Sequence, residues 1–135
     1  MAKFTGTFEI ASWDENPALE AEDGSKVTRA NVVRSFGGAL GGEGTIEWLM
    51  AYGDEGSAEF VGLERVVGKL DGRPGTFVLQ HVGTFDGETA TADLLVVPGS
   101  GTGELTGVEG RGSFQAGFGA EGERNISLDL EVPGG

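Results

Sequence analysis

The chain of 135 residues contains no cysteine and only one histidine, and these absences exclude several kinds of chemistry. Without cysteine there are no disulfides, no thiolate nucleophile and no cysteine-ligated metal, so packing alone must hold the fold. His81 by itself gives no ordered catalytic triad, and Gly99-Ser100-Gly101 lacks the nucleophile-elbow pattern, which argues against a hydrolase. The acidic stretch over residues 14–23 shows no calcium-loop spacing. We therefore predict no bound metal and no cofactor.

Basic residues and long apolar runs are also scarce. Nine basic side chains face 22 acidic ones, and the resulting net charge of −13 repels nucleic-acid phosphates and anionic lipid. The acidity serves solubility or, as the alternative, the steering of a cationic ligand. No segment approaches the roughly 20 apolar residues that span a bilayer, and Met1-Ala2-Lys3-Phe4 lacks the apolar region of a signal peptide. We expect a cytoplasmic protein without nucleic-acid or membrane partners.

Alternation of apolar and polar residues predicts about eight short strands in a single all-β domain over residues 1–135. Short connections of hairpin length favour a closed antiparallel up-and-down barrel over a Greek-key sandwich. We expect many of the 26 glycines to lie at the strand bends that a small barrel needs. Residues 14–17 are expected to break the first strand and to open an irregular connection that reaches Ser25. The predicted strands cover residues 3–13, 27–36, 44–52, 58–70, 76–85, 88–97, 104–118 and 126–132.

The middle strands carry apolar residues on both faces. In the strand over residues 58–70, Val61 and Leu63 lie on the face opposite Phe60 and Val66. One face can fill the barrel, and the other then needs a cover, for which a second copy of the chain is the simplest candidate. We predict a homo-oligomer, either a dimer or a trimer.

Two polar residues share the strand faces that bear the aromatic side chains. Glu64 is in step with Phe60, and His81 is in step with Phe77. If these faces point inward, a carboxylate and an imidazole lie in an apolar chamber, where they are candidate catalytic acid–base residues. The candidate ligand-binding residues on the same faces are Trp48, Met50, Tyr52, Phe60, Phe77 and Leu79.

Two alternatives remain open for this interior. Glu64 and His81 can satisfy each other as a buried structural pair. Alternatively, strand twist or a bulge reverses the register, in which case Arg65 and Gln80 become the inward polar pair.

Five segments give the chain a resemblance to a known family: Ser12-Trp13-Asp14-Glu15, Gly42-Glu43-Gly44, Val61-Gly62-Leu63-Glu64, Gly75-Thr76-Phe77-Val78-Leu79-Gln80-His81 and Val97-Pro98-Gly99-Ser100-Gly101-Thr102-Gly103-Glu104-Leu105. With these segments the chain resembles a family of small bacterial proteins of unassigned function whose folds are similar to the allene oxide cyclase barrel. The last segment, continuing through Gly107 and Gly110, also looks like the Gly-Ser-Gly or Gly-Thr-Gly stretch shared by allene oxide cyclases and dirigent proteins.

The resemblance implies a barrel that binds a reactive small molecule and steers its ring closure or coupling, commonly as a trimer or dimer. Glu64 is the candidate for the interior carboxylate of such a barrel. Our first hypothesis is therefore a lumenal site that binds an apolar lipid- or polyketide-like compound and promotes its isomerisation or cyclisation. The alternatives are a non-catalytic ligand carrier and an oligomeric structural barrel.

Overall fold

Eight antiparallel strands close into one barrel in the computed structural model, which describes residues 2–20, 26–53, 56–117 and 124–133. The strands are β1 (Ala2–Glu20), β2 (Lys26–Gly38), β3 (Leu40–Tyr52), β4 (Ala58–Leu70), β5 (Arg73–Phe85), β6 (Thr89–Val96), β7 (Glu109–Gly117) and β8 (Arg124–Glu131). Each strand pairs with the next in the chain, and β1 also pairs with β8. The predicted eight-stranded up-and-down barrel is thus confirmed. No helix in the described part of the chain is long and apolar enough to cross a membrane.

The first strand is longer than predicted. The expected break at residues 14–17 is wrong, because β1 keeps pairing with β2 as far as Glu20. Two register shifts occur on the way, one between Ile10 and Ser12 and one between Pro17 and Leu19. The first is a β-bulge at Ala11, which advances the inward phase of the strand by one residue. The second lies beside a proline, which has no N–H for the ladder.

The seventh strand begins later than predicted, because residues 104–108 close one end of the barrel instead. A short 3₁₀ turn over Gly103–Leu105 brings Leu105 against the start of β5, and Leu105 and Val108 are both 1% exposed. The preceding loop takes the place of a strand beside β5: the N–H of Thr102 donates to the carbonyl of Thr76 at 2.8 Å. We call this end of the barrel the closed end.

A tight hairpin turn joins β4 to β5. Asp71 and Gly72 form a two-residue turn in which both φ angles are positive, at 50° and 84°. That geometry is the type I′ turn, whose twist matches that of the strands it joins and which favours Asp-Gly. The predicted strands left residues 71–75 for this turn, but the turn takes only Asp71 and Gly72, because β5 begins at Arg73 instead of Thr76. It fixes the pairing of β4 with β5 along its full length from Leu70–Arg73 to Ala58–Phe85.

Candidate functional site

Four polar side chains from four adjacent strands meet in the middle of the barrel. Arg34 of β2 donates through Nε and Nη2 to Glu64 Oε2 and Oε1 of β4, at 2.7 and 2.5 Å. His81 Nε2 of β5 lies 2.9 Å from the same Oε1, and Trp48 Nε1 of β3 donates to His81 Nδ1 at 3.2 Å. We call Arg34, Trp48, Glu64 and His81 the central network. All but Trp48 are at most 1% exposed.

Two glycines make room for the central network. Gly62 lies between Trp48 and His81 in the strand register, and a Cβ at Gly62 would lie 2.8 Å from Trp48 Cδ1. A Cβ at Gly44 would lie 2.8 Å from Cδ of Glu64. Both distances are shorter than the closest approach of two non-bonded carbon atoms. Only glycine therefore allows the indole, the imidazole and the carboxylate to meet here.

The hydrogen bonds fix the protonation states of the central network. Because Trp48 N–H donates to Nδ1 of His81, the imidazole proton is on Nε2 and is donated to Glu64. Burial lowers the pKa of His81, and the opposing effect of Glu64 does not offset it. Burial raises the pKa of Glu64, but the charge of Arg34 and the hydrogen bonds from His81 and Arg34 outweigh it, so the net pKa is lowered. A neutral imidazole therefore lies beside a carboxylate–guanidinium ion pair.

Aromatic rings surround the charged end of the network. The guanidinium carbon of Arg34 lies 4.5, 4.9 and 4.8 Å from the ring centres of Phe8, Phe36 and Phe114. Cations are stabilised over such ring faces, which offsets part of the hydration that Arg34 loses. The middle of the barrel is thus a packed core rather than an open lumen.

At the end opposite the closed end, the barrel holds a cavity of about 280 Å³. We call it the mouth pocket. The ring centres of Trp48 and Phe60 lie 4.8 Å apart, and that of Trp13 lies 5.4 Å from that of Trp48. The pocket is lined by Trp13, Glu15, Trp48, Met50, Tyr52, Phe60, Phe85 and Ala90. Among the residues that the structure describes, the pocket therefore combines five aromatic side chains with one carboxylate.

Glu15 is held in place by three neutral donors. Its Oε2 accepts from the hydroxyl of Tyr52 at 2.5 Å and from that of Thr28 at 2.7 Å, and its Oε1 accepts from the indole N–H of Trp13 at 3.0 Å. Burial raises the pKa of Glu15, but these hydrogen bonds, together with the charge of Lys26, outweigh burial and lower it. Burial and the neighbouring carboxylate raise the pKa of Tyr52 to about 12. The pair is a charged carboxylate and a neutral phenol at neutral pH.

A larger depression of about 990 Å³ crosses the outer wall from β4 through β8 to β1. It runs over three consecutive residues in each of six strands, and the side chains that face it are mostly small hydroxyls and amides. The middle residues, such as Phe60 and Phe114, are buried in the core, so backbone forms the floor. This groove lacks the aromatic walls and the partly buried charge of the mouth pocket, which we therefore take as the candidate site.

The structure brings four of the six predicted ligand-binding residues to the mouth pocket: Trp48, Met50, Tyr52 and Phe60. The other two, Phe77 and Leu79, are 1% and 0% exposed in the core and do not line it. Their position follows from the strand register, which places them nearer the closed end than His81.

The register of β4 and β5 is the one that turns Glu64 and His81 inward, where they are hydrogen-bonded to each other. Arg65 and Gln80 face outward and are exposed, so the reversed register is not the one observed. The catalytic role of Glu64 and His81 stays a prediction.

Three residues were not predicted: Trp13 and Glu15, which line the mouth pocket, and Arg34, which is buried in the central network. The bulge at Ala11 shifts the inward phase of β1, and nothing in the alternation indicates such a shift. Arg34 did leave a signal in the alternation, because it shares its face of β2 with the apolar residues Ala30, Val32 and Phe36.

A family model described as "Protein of unknown function (DUF3224)" matches residues 4–130. No curated protein matches the chain. Among solved structures, the chain is similar to the crystal structure of a protein of unknown function from the DUF3224 family of Shewanella oneidensis MR-1, with a TM-score of 0.78, 34% sequence identity and coverage of 98% of both chains. The likeness to allene oxide cyclases and dirigent proteins rests on the sequence motifs and stays a prediction.

Proposed function

Because the chain belongs to the DUF3224 family, whose function is unknown, we propose its function from the barrel itself: it binds a compact, mainly apolar small molecule in the mouth pocket. The observation behind this proposal is the cavity of about 280 Å³ with its five aromatic walls and one carboxylate. Ligand pockets are mostly apolar and contain few polar groups that orient the ligand. The volume is slightly below the roughly 300–1,000 Å³ that is typical of such pockets, which favours a compact molecule over a long lipid chain.

An isomerisation or cyclisation of the bound molecule is the second candidate function. The bond between Tyr52 and Glu15 favours it, since a phenol paired with a carboxylate at the edge of an apolar pocket can donate and accept a proton. Glu64 and His81 reach the pocket only through the indole of Trp48. In this proposal they orient Trp48 against the ligand, and any direct part in proton transfer falls to Glu15 and Tyr52.

Filling the mouth pocket tests the binding function. Ala90 is buried and lines the pocket, so Ala90→Leu places a larger side chain inside it. We expect saturable binding of 2-phenylethanol to the unchanged protein by calorimetry, and at least tenfold weaker binding to Ala90→Leu. Ala51→Leu is the matched control, because Ala51 is exposed on the outer face of β3, and its affinity should stay within twofold of the unchanged protein. A thermal melt of each variant verifies the fold.

The proposal fails if neither 2-phenylethanol nor its ammonium analogue 2-phenylethylammonium binds saturably, or if both variants bind the probe as tightly as the unchanged protein. We further propose that the protein acts in the cytoplasm without a cofactor.

A further inference from the structure

We propose that the ligand of the mouth pocket is an organic cation: an ammonium group on a compact apolar body, with its nitrogen against Glu15 and its body against the aromatic walls. This inference rests on the proposed binding function and specifies the class of ligand.

Two carboxylates of the barrel, Glu64 and Glu15, differ in the charge of their partners. Glu64 has a fully formed ion pair with Arg34. Glu15 is fixed by three neutral donors, and among the described residues no lysine or arginine lines the mouth pocket. A partly buried negative charge is stabilised most by an opposite charge in direct contact. The pocket therefore offers an ammonium the interaction that Arg34 gives to Glu64.

The aromatic walls of the mouth pocket also suit an ammonium group. Ring faces attract cations, and the strongest cases are cages of several rings around an ammonium. The chain already uses this interaction twice: Arg34 lies over three phenylalanine rings, and Lys26 Nζ lies 4.9 Å from the ring centre of Tyr52. An ammonium group thus already lies over the ring of one pocket residue, Tyr52.

Lys26 is the charged group that would compete with the ligand. It lies at the start of β2, is exposed, and its charge contributes to the lowered pKa of Glu15. It is not within ion-pair distance of Glu15, so direct contact with the carboxylate is left to the ligand. Tyr52 stays neutral because its pKa is about 12, and it adds no charge that would oppose a cation.

The charge of the whole chain favours a cationic ligand as well. A net charge of −13 raises the local concentration of cations and lowers that of anions near the surface. A cationic ligand is drawn toward the barrel, whereas a carboxylate or phosphate ligand is repelled from it before it reaches the pocket.

A matched pair of probes tests the inference. 2-Phenylethylammonium and 2-phenylethanol have the same size and shape and differ in charge. We expect calorimetry at low salt to give at least tenfold tighter binding of the ammonium. The ratio of the two affinities should fall toward one in Glu15→Gln, which removes the charge and keeps the shape. Glu47→Gln removes the same charge from the exposed outer face of β3 and should leave the ratio unchanged.

Ionic strength gives a second readout that needs no variant. Salt screens the attraction between charges but does not weaken the burial of apolar surface. An increase from 0.05 to 0.5 M salt should therefore weaken the binding of 2-phenylethylammonium and leave that of 2-phenylethanol unchanged. The inference is overturned if the alcohol binds as tightly as the ammonium, or if Glu15→Gln leaves the ratio intact. In both cases the binding function survives. If neither probe binds, the proposed function and this inference fail together.

Discussion

At the scale of single residues, the central network explains how a charged pair is tolerated inside a small apolar barrel. Arg34 and Glu64 neutralise each other, His81 adds a hydrogen bond to Glu64, and Trp48 donates to the second imidazole nitrogen. Removing one member of a buried ion pair leaves an uncompensated charge and costs about 3–5 kcal/mol. The inward placement of Glu64 and His81 was predictable from period-two alternation. Their partner Arg34 was not assigned, because arginine is rarely fully buried unless it is paired.

The lowered pKa values make stability depend on pH in a defined direction. His81 has an ordinary pKa of 6.5, and its pKa is lowered in the fold, so the unfolded chain binds a proton first as the pH falls. Stability from this group is present above pH 6.5 and is lost below it, and the lowered pKa of Glu64, ordinarily 4.5, extends the loss to lower pH.

We therefore expect urea unfolding between pH 7 and pH 5 to show a falling free energy of unfolding, by up to about 1.4 kcal/mol for each pH unit. His81 is the chain's one histidine, so His81→Gln should flatten the profile in this range. An unchanged slope in His81→Gln would contradict the buried neutral imidazole.

At the scale of strands, the alternation of apolar and polar residues predicted the bounds of regular strands and failed at bulges and at the closed end of the barrel. β4 (Ala58–Leu70) has the predicted boundaries, because a type I′ turn and an unbroken ladder set its register. β1 was predicted too short, since a bulge replaces the expected break and leaves no mark in the alternation. β7 was predicted too long, because Leu105 and Val108 are apolar for a different reason: they close the barrel end. The same bulge turns Trp13 and Glu15 toward the mouth pocket, so these two lining residues were not predicted either.

Glycine at position 62 allows β3, β4 and β5 to bring Trp48 and His81 together. Gly62→Ala places a methyl group against the Trp48 indole and the Glu47 carbonyl, so we expect a loss of about 1–3 kcal/mol from overpacking. Gly41→Ala is the control, since a Cβ there meets nothing within 4 Å, and it should change stability by less than about 0.5 kcal/mol. Chemical denaturation followed by tryptophan fluorescence measures both. Equal effects of the two substitutions would contradict the role given to Gly62.

At the scale of the whole molecule, the barrel is closed and packed at one end and in the middle, and it has a pocket at the other end. The outer face of β3 to β6 exposes six large apolar side chains: Leu49, Val61, Leu63, Val67, Val82 and Leu95. They include the residues from which the sequence predicted a homo-oligomer. That assembly stays a prediction, and a monomeric mass in sedimentation at micromolar concentration would contradict it. The pocket could not be located from the sequence, because its lining is set by barrel closure and by one bulge.

The most direct test of the mouth pocket uses the two tryptophans, which are the only ones in the chain. Both line the pocket, and their indole N–H groups donate to Glu15 and His81. In a ¹⁵N–¹H correlation spectrum they give two resolved indole signals. We predict that 2-phenylethylammonium and 2-phenylethanol, added in turn, each shift both signals saturably. If both probes leave the two signals in place, or shift only amides of the outer wall such as those of Leu49 and Val82, the account is contradicted.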